Sequence, residues 1–369
     1  QNTAVGFYAG NAITTGIQNT LIGSDCGDAL TDADYNVAVG RNTLSTDTKG
    51  NKTVAIGFQA LANQNFTTST DSHNVAVGYN AGVSVTTGIQ NTIVGGLAGD
   101  ALTDADYNIA IGYAALGADT KGNKTVAIGT FALANQNFST STDSFNTSVG
   151  YDSGNVLTIG ARNTFMGAFA ANAVTEGSDN LCLGYNSGTH GTNLTTGDGN
   201  VLVGPYCDPI DGTANQSHGL GYNLDCAAGF TTLGEGSNDI RAQHGVATWA
   251  TVSDERYKKD IVDSTAGLSF INALKPRTFK YKNLGDLPDT FRAYEKDSTE
   301  VFKNSNTNHG FIAQEVKAAI DADSSIKDGF KLWDERDDGG QEVAEAALIP
   351  ILVKAIQELT ARVKELEDA

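Results

Sequence analysis

Asn36-Val37-Ala38-Val39-Gly40 returns as Asn74-Val75-Ala76-Val77-Gly78 and again as Asn108-Ile109-Ala110-Ile111-Gly112. The glycine that ends this motif recurs at Gly6, Gly23, Gly40, Gly57, Gly78, Gly95, Gly112, Gly129, Gly150, Gly167, Gly184 and Gly204, with degenerate copies at Gly221 and Gly234. The step is 17 residues and stretches to 21 after every fourth early copy, so four steps make a unit of 72 residues. Whole stretches repeat across that unit: Thr15 to Thr20 as Thr87 to Thr92, and Ala60 to Phe66 as Ala132 to Phe138. A fixed period of this length marks a stacked-repeat architecture.

Each column of the repeat carries a physical reading. The slot before the glycine is apolar (Val5, Ile22, Val39, Ile56, Val77, Val94), and a small residue follows three places after it (Ala9, Cys26, Thr43, Ala60). Such alternation predicts a short strand with one face buried. Seventeen residues suit one coil of a β-solenoid, with two short strands, two turns and glycine at a corner. Stacking is expected to bury the Val/Ile column and to line up Asn2, Asn19, Asn36, Asn74, Asn91 and Asn108 as a side-chain ladder. Coils stacked about 4.8 Å apart make a rod roughly 65 Å long. The pattern resembles the head repeats of trimeric autotransporter adhesins and the shaft repeats of phage tail fibres. That likeness points to a β-roll or β-solenoid over residues 1–240, with 241–252 as a connector.

Bulk composition narrows the function. The 369 residues are 40% apolar with 42 Gly and only 1 Met, and the net charge is -19. An acidic chain is a poor partner for nucleic acid or anionic membrane. The sequence has no apolar run of membrane-spanning length and no signal peptide, and it opens on Gln1 rather than Met, as a fragment or processed product does. Cys26, Cys182, Cys207 and Cys226 lack metal-ligand spacing, so neither a disulfide framework nor a zinc site is expected, and no cofactor. Cys26, Cys182 and Cys207 fall in small-residue columns, which suggests packing. Asp28, Asp32 and Asp34 recur as Asp100, Asp104 and Asp106. Their spacing fits no calcium loop, and they read as solvated turns rather than ligands. Phe7, Phe58, Tyr79, Tyr113, Tyr151, Tyr185 and Tyr222 follow the repeat glycines. Sugar stacking, a trimer contact and coil-to-coil packing all suit that column, and packing is preferred.

The composition shifts at Val252-Ser253-Asp254-Glu255-Arg256-Tyr257-Lys258-Lys259-Asp260-Ile261. Residues 1–252 hold 7 basic and 20 acidic side chains, and the shorter remainder holds 17 and 23. Two separate folds are expected on either side. In the second, Ala266 to Leu274 reads as a helix stopped by Pro276, Arg277 to Tyr281 as a strand, 283–308 as an exposed excursion and Phe311 to Ile320 as a helix. Residues 321–340 are acidic and turn-rich, and a helix is expected over 347–367. Ile349, Ile356 and Val363 alternate with Leu352, Leu359 and Leu366 at steps of three and four, the seam of a coiled coil. β-branched residues at one seam position and Leu at the other favour two strands in simple coiled coils.

Four blocks, in order, carry a second resemblance: Ser253 to Ile261, Gly267 to Lys282, His309-Gly310-Phe311-Ile312-Ala313-Gln314-Glu315-Val316, and Leu348 to Leu359. They resemble the intramolecular chaperone domain of phage endosialidases and tail fibres, found also in a membrane-tethered myelin transcription factor. The resemblance implies a small α+β domain over residues 253–369 that trimerises, guides folding of the β-shaft before it, and cuts itself off between Val252 and Ser253. Its trimer disagrees with the two strands that the seam residues favour, and the trimer is preferred, because about three heptads are a weak determinant beside a whole domain interface. The resemblance implies Ser253 as nucleophile and Lys258 as general base, with Asp254, Lys259, His309 and Gln314 as candidate helpers. A serine hydroxyl needs such a base, and a lysine serves only when burial or nearby cations such as Arg256 and Lys259 lower its pKa. The competing reading makes Ser253 a helix N-cap followed by first-turn acids.

The expectation is therefore a mostly β, homotrimeric phage tail-fibre segment in the virion. It meets a host cell-surface receptor, glycans among the candidates, and joins other tail proteins. Its chaperone unit folds in the host cytoplasm and is released. The alternatives are a bacterial surface adhesin with an uncut trimerisation domain and a glycan depolymerase.

Overall fold

The computed structural model describes residues 1–369 except 247, 252, 324, 325 and 327–330. The chain divides into two compact units, Gln1–Ser253 and Asp254–Ala369.

The first unit is a β-solenoid. Most coils contribute a three-residue strand, such as Thr20–Ile22, Val37–Val39, Val54–Ile56 and Val75–Val77, to one 15-stranded sheet, and the last parallel strands, His218–Tyr222 and Phe230–Glu235, are longer. Neighbouring strands are parallel and in register, with Val37 beside Val54 and Val39 beside Ile56. The register holds across the 21-residue step as well, where Val54 lies beside Val75. The four extra residues are therefore taken up away from the sheet, where Thr70–Asp71 pairs with Gly50–Asn51. The degenerate copies keep the frame, with Gly221 beside Gly234. The last strand, Asn238–Gln243, turns antiparallel to Phe230–Glu235 and so straddles the expected edge of the connector.

Two expectations about the coil are corrected. The Val/Ile column before the glycine faces outward: Val5 is 59% exposed, Ile22 40% and Met166 42%. The central residue of each strand is the buried one, and Leu21, Ala38, Ala55, Ala76 and Ile93 are fully enclosed. A three-residue strand turns only its middle side chain inward. The interior is already filled from the opposite wall by Leu30, Leu44, Leu61 and Leu102, so the central slot is mostly small. The second correction concerns strand number. Most coils have one strand, because the opposite wall is a run of turns that bond coil to coil, as in Gly10 N–H to the Cys26 carbonyl at 3.0 Å. Residues with positive φ, Leu44 at 52° and Leu61 at 50° among them, break any longer strand there.

The corner glycine has a steric cause. Gly95 holds φ at +136°, and a Cβ there would lie 2.4 Å from the carbonyl oxygen of Gly112 in the next coil. The asparagine ladder forms as a side-chain-to-backbone relay. Asn91 Oδ1 accepts the Asn108 N–H at 2.9 Å, and its Nδ2 donates to the Ala105 carbonyl at 2.8 Å. The same pair of bonds recurs along the stack, for instance at Asn36 and Asn163.

Among its described residues the second unit packs three α-helices, α1 (Leu268–Ala273), α2 (Ala313–Ala322) and α3 (Ile349–Glu367), around Phe270, Val316, Ile320, Leu332, Leu348 and Ile351. Two short antiparallel pairs accompany them, Arg277–Phe279 with Asn308–Gly310 and Trp333–Glu335 with Gln341–Val343. The second pair occupies part of the stretch read as acidic turns; its Trp333 was the local apolar signal. A 3-10 turn, Glu345–Leu348, leads into α3, and Pro350 sits at its start, where a missing N–H costs no helical bond. Among the described residues no helix is long and apolar enough to cross a membrane.

Candidate functional site

The border segment is held by local charge. Ser253 ends the first unit and is exposed. Asp254 caps the 3-10 turn Glu255–Tyr257, its Oδ1 accepting the Arg256 N–H at 2.9 Å. The Arg256 guanidinium grips the same carboxylate, Nη2 to Oδ2 at 2.6 Å, and holds the Asp254 carboxyl below its usual range, with Lys258 adding to the effect. The N-capping residue is thus Asp254 and not Ser253. Lys258 closes the turn through its backbone N–H to the Glu255 carbonyl at 2.9 Å, and its side chain is exposed, as is that of Lys259. The other half of the expected cut, Val252, lies outside the described residues.

His309 and Gln314 lie elsewhere in the second unit. His309 is on the strand Asn308–Gly310 and Gln314 in the first turn of α2, both exposed. They share the wall of a cleft of about 1140 Å³ whose other walls include Phe279, Tyr281, Phe311 and Trp333. Nothing in the sequence marked this cleft, because its aromatic residues are scattered from Phe279 to Trp333 and meet through the two antiparallel pairs.

The heptad helix has two distinct apolar faces. Ile351 and Ala355 are buried within the unit, at 5% and 4% exposure. On the same side the Glu358 carboxylate accepts the Leu268 N–H at 2.9 Å, which fastens α3 to the start of α1. The six seam residues run beside that side and stay in solvent. Ile349 is 61% exposed, Leu352 42%, Ile356 62%, Leu359 45%, Val363 51% and Leu366 78%. A packed helix normally has one apolar stripe; α3 keeps a second in solvent.

The solenoid presents an apolar surface of its own. Its outward Val/Ile columns are bordered by the aromatic column, joined by Phe169 and Tyr206 one place later; its rings meet from coil to coil, stacked at Phe58–Tyr79 and edge to face at the later pairs. Phe58 and Tyr79 lie 5.5 Å apart, and Tyr151, Phe169, Tyr185, Tyr206 and Tyr222 continue at 5.3 to 6.0 Å. Coil-to-coil packing is therefore present, although the rings remain about half exposed, Tyr151 at 51% and Tyr185 at 46%. Four of the six recurrent carboxylates serve backbone bonds or cross-coil charge pairs. Asp34 and Asp106 accept the N–H groups of Ile17 and Ile89, while Asp32 and Asp104 face Lys49 and Lys121.

Compared with known protein families, residues 253–323 match the family described as chaperone of endosialidase. The match opens on Ser253 and ends before α3. No curated protein and no solved structure matches the chain. The chain is thus a β-solenoid followed by a segment of the endosialidase-chaperone type.

Proposed function

We propose that this chain is a segment of a phage tail fibre, a homotrimeric β-solenoid shaft whose C-terminal unit assembles it and then cuts itself away between Val252 and Ser253. The observation that carries the reading is the exposed seam of α3, six apolar residues at heptad spacing on a helix already anchored along the adjoining side by Ile351, Ala355 and Glu358. Two further copies of the chain are the partners that a heptad seam beside a chaperone-type domain calls for. The outward Val/Ile columns of the solenoid supply a second self-complementary surface, which keeps the shaft together once the chaperone has gone. The shaft then serves in the virion, joined to other tail proteins and facing a host receptor, glycans included. The chaperone unit folds in the host cytoplasm and is released.

The chemistry follows from the border residues. Ser253 Oγ attacks the carbonyl carbon of Val252 through a five-membered ring while Lys258 takes the hydroxyl proton. The C–N bond breaks, the proton passes to the freed amine of Ser253, and water hydrolyses the resulting ester. Ser253 and Lys258 are both exposed in the single chain. Assembly is what removes water from around them, so cutting reports on a correctly built trimer.

Intact mass after expression tests this, with the unaltered chain beside Ser253→Ala and Lys258→Ala. Two fragments meeting at Val252/Ser253, absent in both variants, are expected. An uncut chain that is still trimeric would sink the protease reading and favour the adhesin with a permanent clamp.

A further inference from the structure

We propose that Cys207 and Cys226 are a disulfide-forming pair that clamps the last coils of the solenoid when the protein meets a peroxide-class oxidant. Their sulfurs lie 3.6 Å apart, and both residues are fully buried. They belong to neighbouring coils. Asp208 pairs with Asp225 and Pro209 with Cys226, so Cys207 approaches Cys226 diagonally across one parallel step.

The space around the two sulfurs is shaped for them. Gly219, on the strand across the core, would carry a Cβ 2.3 Å from the Cys226 sulfur and 2.4 Å from the Cys207 sulfur. The matching positions in the coils before it are Leu202, Cys182 and Phe165. The volume that a side chain fills in those coils is here left to the two thiols. A disulfide needs the sulfurs to close to about 2.0 Å.

The position gives the bond a role. The antiparallel strand Asn238–Gln243 ends the stack soon after Cys226. A terminal coil has a neighbour on one side only, so it opens first. A bond between residues 207 and 226 ties the coil of residues 218–229, on which the closing strands Phe230–Glu235 and Asn238–Gln243 rest, to the coil before it. The pair stays reduced in a reducing cytoplasm and closes in an oxidising exterior.

The reaction balances with hydrogen peroxide as the oxidant. One thiolate attacks a peroxide oxygen, giving a sulfenic acid and water; the second thiol displaces that oxygen as a second water, forming the S–S bond. Two thiols are oxidised and one peroxide is reduced. The adjoining Cys207 thiol and burial push the Cys226 thiol up, so the reaction is slow at neutral pH and quickens in mild base.

The test uses the folded full chain, treated with hydrogen peroxide or kept under dithiothreitol, then denatured and alkylated. Reduced protein should label at all four cysteines. Oxidised protein should label at Cys26 and Cys182 alone, weigh two hydrogens less, and yield a peptide joining 207 to 226. Its thermal midpoint should exceed that of the reduced protein, with the difference gone in Cys226→Ser. Persistence of all four thiols, a link through Cys182, a link between chains, or sulfinic acid without a link would each overturn the proposal. Should Cys226→Ser fail to fold, the peptide map of the unaltered chain decides alone.

Discussion

Asn91 shows how much of the solenoid rests on single side chains. It is fully buried and satisfies one N–H and one carbonyl of the next coil. Asn91→Ala leaves both groups buried without a partner, and a destabilisation of about 2–4 kcal/mol is expected. Urea denaturation of the two proteins measures it; a loss within error would mean that the ladder is decoration. Asp47 is the complementary case. It stands seven residues after Gly40, where Leu30 stands seven after Gly23. Its Oδ1 accepts the N–H groups of Gly50 and Phe66 at 3.0 Å, and its Oδ2 accepts Gln64 Nε2 at 2.7 Å. Burial pushes its carboxyl up, and these donors only partly restrain the rise. A carboxyl with a raised pKa in the folded chain binds its proton more tightly there than when unfolded. Its contribution to stability is therefore greatest at low pH and falls as pH climbs from the unfolded value through the folded one. The advantage of the native chain over Asp47→Asn should be larger at pH 4 than at pH 7, read from denaturation midpoints. An equal gap at the two pH values would refute it.

At the scale of elements, α3 is the piece whose exposure is out of keeping with its composition. One face is used internally by Ile351, Ala355 and Glu358, so its seam is free to join other copies without loosening its own unit. Ile356→Asp places a charge in the middle of that seam, where assembly would have to desolvate it. Light scattering should show the variant as a monomer, with helical content in the circular dichroism spectrum retained. A variant that still associates would move the assembly surface to the Val/Ile face of the solenoid. The strands teach a related lesson. Their three-residue length means that the two flanking columns share a face and the centre takes the other, so the whole Val/Ile column goes in or out together.

At the scale of the whole molecule, assembly and cutting become one question. If the trimer is what desolvates Ser253 and Lys258, the Ile356→Asp chain should also remain at full length by intact mass, although both dyad residues are present. A cut monomer would separate the two activities and place the protease within a single chain. The period of the repeat, the stacking of coils, the asparagine ladder, the heptad and the chaperone-like blocks were all legible in the sequence, because each is a spacing between like residues and spacing survives without coordinates. The direction of the Val/Ile columns was not legible. Alternation defines two faces of a strand but not which one meets a core, and that was decided by the leucines of the opposite wall, which already occupy the interior. The missing second strand, the cleft beside His309 and the meeting of Cys207 with Cys226 were likewise settled only by the tertiary structure. Each depends on how turns fold one stretch onto another, and backbone turns and diagonal contacts leave no period for the sequence to show.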